Sequence, residues 1–163
     1  MKKLALFTLF LSLAALLAAG YMLLGTRLQV TGQSVHRTAC GEKREQFAQL
    51  MREARNRSLH GTVYRVPPEE AEAEEYSFYT YTIQLENRLP FEAEMVEIQL
   101  APRTEDILMY SAMEEIRIGA WKTGAVSCVL LTEGQPTDMR SFTITYYYFG
   151  SPFQVKYAFQ TDR

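Results

Sequence analysis

The side chains of this chain that could do chemistry are few, and their spacing offers them little to do. The two histidines, His36 and His60, have no Cys, His or carboxylate at metal-ligand spacing, so a zinc site is not expected. No G-x-S-x-G elbow, H-E-x-x-H helix or phosphate-cradling glycine loop occurs. The run Glu69-Glu70-Ala71-Glu72-Ala73-Glu74-Glu75 places five carboxylates in seven positions, a composition that suits a hard cation. It lacks the Asp/Asn/Gly alternation of a calcium loop, and after Pro67-Pro68 it reads as a solvated loop. Glu92, Glu94 and Glu97 fall at outward strand positions rather than as a catalytic pair. The expectation is a non-enzyme with no cofactor and no metal.

Cys40 and Cys128 are the only cysteines. A bridge between them would close a loop of roughly ninety residues, worth about 4–5 kcal/mol in the chain-entropy account. Against that, Val126–Leu131 is an apolar strand in which a small buried thiol needs no partner. Cys40 and Cys128 are therefore a possible disulfide.

The surplus of this composition is aromatic: ten Tyr, nine Phe and one Trp. Phe78, Tyr147 and Phe149 lie on strand faces opposite the expected core set. Trp121 stands among turn formers in Gly119-Ala120-Trp121-Lys122-Thr123-Gly124. Together Phe78, Trp121, Tyr147 and Phe149 make a candidate interaction surface of apolar rings rimmed by Thr and Lys. The competing reading has those faces covered by a helix or by chain near the N-terminus.

The elements that must position these residues follow from periodicity. Residues 42–57 predict a helix, with Phe47, Leu50, Met51 and Ala54 on one face, acids at its start and arginines at its end. It is expected to pack at one end of the domain. Strands are expected over 61–66, 76–86, 96–100, 107–110, 116–118 and 125–132. In Tyr76–Glu86, Tyr79, Tyr81, Ile83 and Leu85 share the core face. The last two strands form a hairpin whose loop is read as Gly150-Ser151 in a type II′ turn. That loop pairs Tyr148 with Phe153, Tyr146 with Val155, Ile144 with Tyr157 and Phe142 with Phe159. The sum is a mainly β fold: an antiparallel, immunoglobulin-like β-sandwich of about seven strands with one added N-terminal helix. The Cys…Trp…Cys spacing of antibody domains is absent.

Before the domain comes an uncharged apolar run from Leu4 to Leu24. Its twenty-one residues make about 31 Å of helix, close to the roughly 30 Å of bilayer hydrocarbon. Residues 1–25 are therefore expected to be a signal anchor or transmembrane helix, 26–41 a polar linker, and 42–163 an extracytoplasmic domain. Lys2 and Lys3 place the N-terminus in the cytoplasm. The alternative is cleavage after Ala18-Ala19-Gly20 and secretion, which would leave the apolar Tyr21-Met22-Leu23-Leu24 as the new start. Lipidation is not expected, because Cys40 lies fifteen residues beyond Gly25. Phe7-Thr8-Leu9 resembles the FTL start of type IV pilin-like proteins, which would imply a filament subunit. The sequence departs from that pattern at Leu6, where a small residue belongs, and at Leu11, where an acid belongs.

After Gly25 the chain carries fifteen basic and nineteen acidic residues and no basic cluster, which argues against nucleic acid as a partner. The partners expected are the membrane through residues 4–24 and a protein at the cell envelope. The functional expectation is binding or assembly there, with a structural surface subunit or an accessory domain of an envelope enzyme as the alternatives.

Overall fold

The computed structural model describes residues 2–25, 28–111, 116–134 and 139–160. A first helix, α1, runs Lys2–Gly25. The chain continues through β1 (Gln29–Ala39), a 3-10 turn at Cys40–Lys43, and α2 (Arg44–Arg55). Eight further strands follow among the described residues: β2 (Thr62–Val63), β3 (Tyr76–Glu86), β4 (Ala93–Leu100), β5 (Asp106–Ser111), β6 (Ile116–Ile118), β7 (Thr123–Glu133), β8 (Met139–Tyr148) and β9 (Ser151–Gln160). They form two antiparallel sheets, one in the order β1-β3-β7-β5-β2 and the other β6-β4-β8-β9.

The main core lies between the sheets. Tyr79, Tyr81, Ile83 and Leu85 from β3 meet Val96, Ile98 and Leu100 from β4 and Phe142, Ile144 and Tyr146 from β8. The period-2 alternation of β3 therefore points the expected residues inward. Tyr81 stacks edge-on to both Phe142 and Phe159, with ring centroids 5.1 and 5.4 Å apart. A second core lies outside the five-stranded sheet, where Phe47, Leu50, Met51 and Ala54 of α2 cover Phe78, Leu108, Val129 and Leu131. The helix thus packs on the outer sheet face, not across an end of the sandwich. It takes the half nearer Tyr76; the other half of that face is polar, with Thr82 and Ser127 hydroxyls hydrogen-bonded at 2.9 Å.

Three expectations change. Residues 29–39, expected as part of a linker, are β1, paired along β3 from Gln29–Glu86 to Ala39–Ser77. Its polar, weakly periodic composition is that of an edge strand with one side toward water. With β1 the described residues form nine strands, and the strand expected over 61–66 shortens to Thr62–Val63. The final hairpin keeps its faces but not its partners. Tyr148 pairs with Ser151, Tyr146 with Phe153 and Ile144 with Val155, so the loop is Phe149-Gly150. Both loop residues have positive φ, 50° and 73°, which is a type I′ turn. A shift of two residues conserves which face each side chain occupies, so hydrophobic patterning could not distinguish the two registers.

The thiols do not pair. Cys40 and Cys128 are both free and buried, Cys40 in the core beneath α2 and Cys128 in the core between the sheets. They face opposite sides of one sheet, and burial pushes each up to about 12.

The sheets are tied together by a buried ion pair. Arg140 on β8 donates to both carboxylate oxygens of Asp106 on β5, at 2.8 and 2.9 Å. Asp106 also accepts the Arg103 N–H at 2.7 Å.

Among the described side chains of α1 none belongs to either core. Its leucines and phenylalanines from Leu4 to Leu17 are exposed. Described side chains in α1 run without a break from Lys3 to Ala18; among the described residues no helix is long and apolar enough to cross a membrane.

Candidate functional site

Three connections converge at one end of the sandwich: residues 87–92 between β3 and β4, residues 119–122 between β6 and β7, and the Phe149-Gly150 turn. Asn87 holds them. It is fully buried, and its Nδ2 donates to the carbonyls of Phe91 (2.6 Å), Ile118 (3.0 Å) and Gly119 (3.2 Å). With two hydrogens and three acceptors, one of these bonds is shared. Its Oδ1 accepts the Leu89 N–H at 3.1 Å and the Tyr148 hydroxyl at 2.7 Å. Its own N–H donates to the Lys122 carbonyl at 2.9 Å. One amide side chain thereby fixes all three connections and the end of β8. Burial raises the Tyr148 phenol well above its ordinary range, so it remains a donor to Asn87.

On this frame two aromatic rings project into solvent. Trp121 is 64% exposed and Phe149 69% exposed. Trp121 sits in a turn closed by the Lys122 N–H to the Gly119 carbonyl at 3.2 Å, and its own N–H donates to Leu89 O at 3.2 Å. Its φ is 58°, at a position where type II turns favour Gly or Asn. Phe149 likewise occupies a turn position that favours Asn or Gly, with the Phe91 ring edge-on beneath it at 4.7 Å. Positive φ costs a bulky side chain of order 1 kcal/mol or more, and such outliers cluster where side chains serve a purpose other than folding.

Charges flank the two rings. Glu86 pairs with Arg88 at 2.8 Å and Glu92 with Arg117 at 3.7 Å. Among the described residues the Lys122 ammonium forms no ion pair.

Of the four residues expected to form an interaction surface, Trp121 and Phe149 come together here. Tyr147 lies next to the turn, half-buried on the outer side of the four-stranded sheet opposite Glu94 and Pro152. Phe78 is a correction: it is 3% exposed beneath α2, because that outer sheet face needed a cover and the amphipathic helix supplies it. Asn87 and Phe91 were not expected at the site. Asn87-Arg88-Leu89-Pro90 reads in sequence as a strand break, and the break is indeed where the frame is built.

Among the described residues no group of three His, Cys, Asp or Glu could hold a metal. The acidic run 69–75 serves packing and pairing: Ala71 and Ala73 lean on the core beneath α2, and Glu74 pairs with Arg44.

No protein-family model matches this chain, and no curated protein matches it. Among solved structures it is similar to a FixG-related protein from Vibrio parahaemolyticus, at 13% identity and a TM-score of 0.34, over 81% of this chain and 96% of that one. A likeness at that level assigns neither family nor activity, and the chain is defined by its own architecture: two antiparallel sheets of five and four strands in a sandwich, with two helices.

Proposed function

We propose that this chain is a non-catalytic, membrane-anchored β-sandwich module that stands outside the cytoplasm and binds or assembles at the cell envelope. The observation that carries the reading is α1. It is apolar on every side rather than on one stripe, and none of its described side chains belongs to either core. An all-round apolar helix needs either a protein interior or a bilayer. Its Thr and Ser hydroxyls are satisfied within the helix: Thr8 donates to the carbonyls of Leu4 and Ala5 at 3.0 Å, and Ser12 to that of Thr8 at 2.9 Å. That is the condition lipid imposes on polar groups. Lys2 and Lys3 set the orientation, with the sandwich on the far side.

The sheet order supports an immunoglobulin-like arrangement, in which β1-β3-β7-β5 faces β6-β4-β8-β9 and the chain crosses between the sheets at each step from β3 to β8. The loop end is the favoured interaction surface, ahead of the sheet edges. Edge strand β1 carries a register irregularity between Val30 and Gly32, and edge strand β9 carries Pro152 and Lys156. Such features discourage strand addition.

Carbonate extraction of membranes from cells expressing the full chain tests the anchor, with intact-mass analysis of the N-terminus. Retention in the membrane with residues 4–24 intact is expected. A soluble product beginning at Tyr21 would overturn the anchor and leave a secreted domain; trimming within the first ten residues would favour a pilin-like subunit.

A further inference from the structure

We propose that the Trp121–Phe149 end of the sandwich docks on the lipid surface, with both rings in the headgroup layer of the bilayer that α1 enters. The inference rests on the anchor reading and adds to it which end of the domain meets the lipid.

The chain connectivity decides the end. Leu28 is buried in the main core, and its N–H donates to the Tyr146 hydroxyl at 3.3 Å. Gln29 pairs with Glu86, the last residue of β3, immediately before Asn87. The chain therefore enters the domain at the end that carries the three converging connections. From Gly25, the last residue of α1, to Leu28 there are three Cα–Cα steps, at most about 11 Å. A helix that ends at the membrane surface must hold this end of the sandwich beside it.

The chemistry of that end suits the place. Trp and Phe are the side chains that settle at or just below the headgroups, and Trp in particular is enriched there. Lys122, beside Trp121, has a charge free for a lipid phosphate, while the neighbouring carboxylates Glu86 and Glu92 are already paired with arginines. Neither turn calls for an aromatic residue: each positive φ would be better served by Asn or Gly. A protein that bears this cost to project two large rings toward its own membrane gains a second point of attachment and a fixed tilt.

Trp121 is the only tryptophan in the chain, so its emission reports on this site alone. The experiment uses the full chain in phosphatidylcholine–phosphatidylglycerol vesicles, with a matched set containing lipids brominated high on their acyl chains. Blue-shifted Trp121 emission that loses most of its intensity to the brominated lipid is expected. Phe149→Asn should reduce that quenching while leaving the far-UV circular dichroism unchanged, because Asn-Gly is the preferred sequence for this turn. Red-shifted emission quenched by aqueous iodide, from chain that still floats with the vesicles, overturns the docking and leaves the anchor standing. Blue-shifted emission that no lipid quenches points to a protein occupant, such as a second copy, and also overturns it. Chain that does not float overturns the anchor and the docking together.

Discussion

Breaking the buried ion pair between the sheets should cost more than any surface change, and removing both partners should cost little. Asp106 is fully buried and Arg140 is 2% exposed. Their two bonds of 2.8 and 2.9 Å are the geometry of a bidentate pair. Arg140→Met leaves the Asp106 carboxylate in the interior with the Arg103 N–H among its remaining donors. An uncompensated buried charge of that kind costs about 3–5 kcal/mol. With a urea m-value of about 2 kcal/mol/M, the unfolding midpoint should fall by about 2 M. Asp106→Leu with Arg140→Met removes both desolvation penalties along with the attraction, and should return to within about 1 kcal/mol of the parent. The assay is urea titration of the full chain in detergent, followed by far-UV circular dichroism because Trp121 is already exposed. The comparison is a double-mutant cycle. If the double variant loses the sum of the two single losses, the pair is not coupled and the sheets are held by apolar packing alone.

Asn87→Ala removes five side-chain hydrogen bonds at the loop end and should cost about 2–4 kcal/mol, with faster amide exchange at Leu89 and Lys122; unchanged exchange would remove Asn87 as the organiser. Phe78→Ala should cost about 3–5 kcal/mol as a core truncation, whereas Phe149→Asn should leave the midpoint unchanged or slightly higher; equal losses would mean that Phe149 is part of the core. Cys40 and Cys128 should resist alkylation in the native chain at pH 8 and both react after denaturation without reductant; one bridge in place of two thiols would show that they pair. Those thiols move from 9.0 to about 12 and the Tyr64 and Tyr81 phenols from 10.0 to about 12 on burial, so the folded state holds its protons longer than the unfolded chain does. Their contribution is complete below pH 9 and is lost as pH rises toward 12; a urea midpoint that stays flat from pH 9 to pH 11 would contradict this.

Local patterning was legible wherever one rule dominated. The bounds of β3 match the alternation from Tyr76 to Glu86, and the buried face of α2 is the Phe47, Leu50, Met51, Ala54 stripe. Strand β1 was not legible, because an edge strand satisfies half its backbone with water and needs no apolar stripe. The hairpin register was misread by two residues because Gly150 fits the first position of one turn type and the second of another. Choosing between them meant accepting a phenylalanine at positive φ, which local preference argues against. The thiols looked pairable because sequence separation says nothing about which side of a sheet a residue faces. At the candidate site the flanking turn residues point to Trp121, and the strand face opposite the core points to Phe149; the same face argument points to Phe78, which lies buried beneath α2.

By itself the sequence determined the apolar N-terminal run, the mainly β character, the helix face and the inward residues of the long strands, since these depend on periodicities of 2 and 3.6 that a linear chain displays. It also determined that there are only two histidines and two cysteines, since residue types are counted directly. Tertiary structure alone decided that an amphipathic helix would cover Phe78, that Cys40 and Cys128 would lie on opposite faces of one sheet, and that Asp106 would meet Arg140 across the sandwich. It also brought Asn87, Trp121 and Phe149 to the end where α1 joins the domain. Residues 34 and 28 positions apart in sequence met there because strand order and register placed three turns together, and no local preference encodes that.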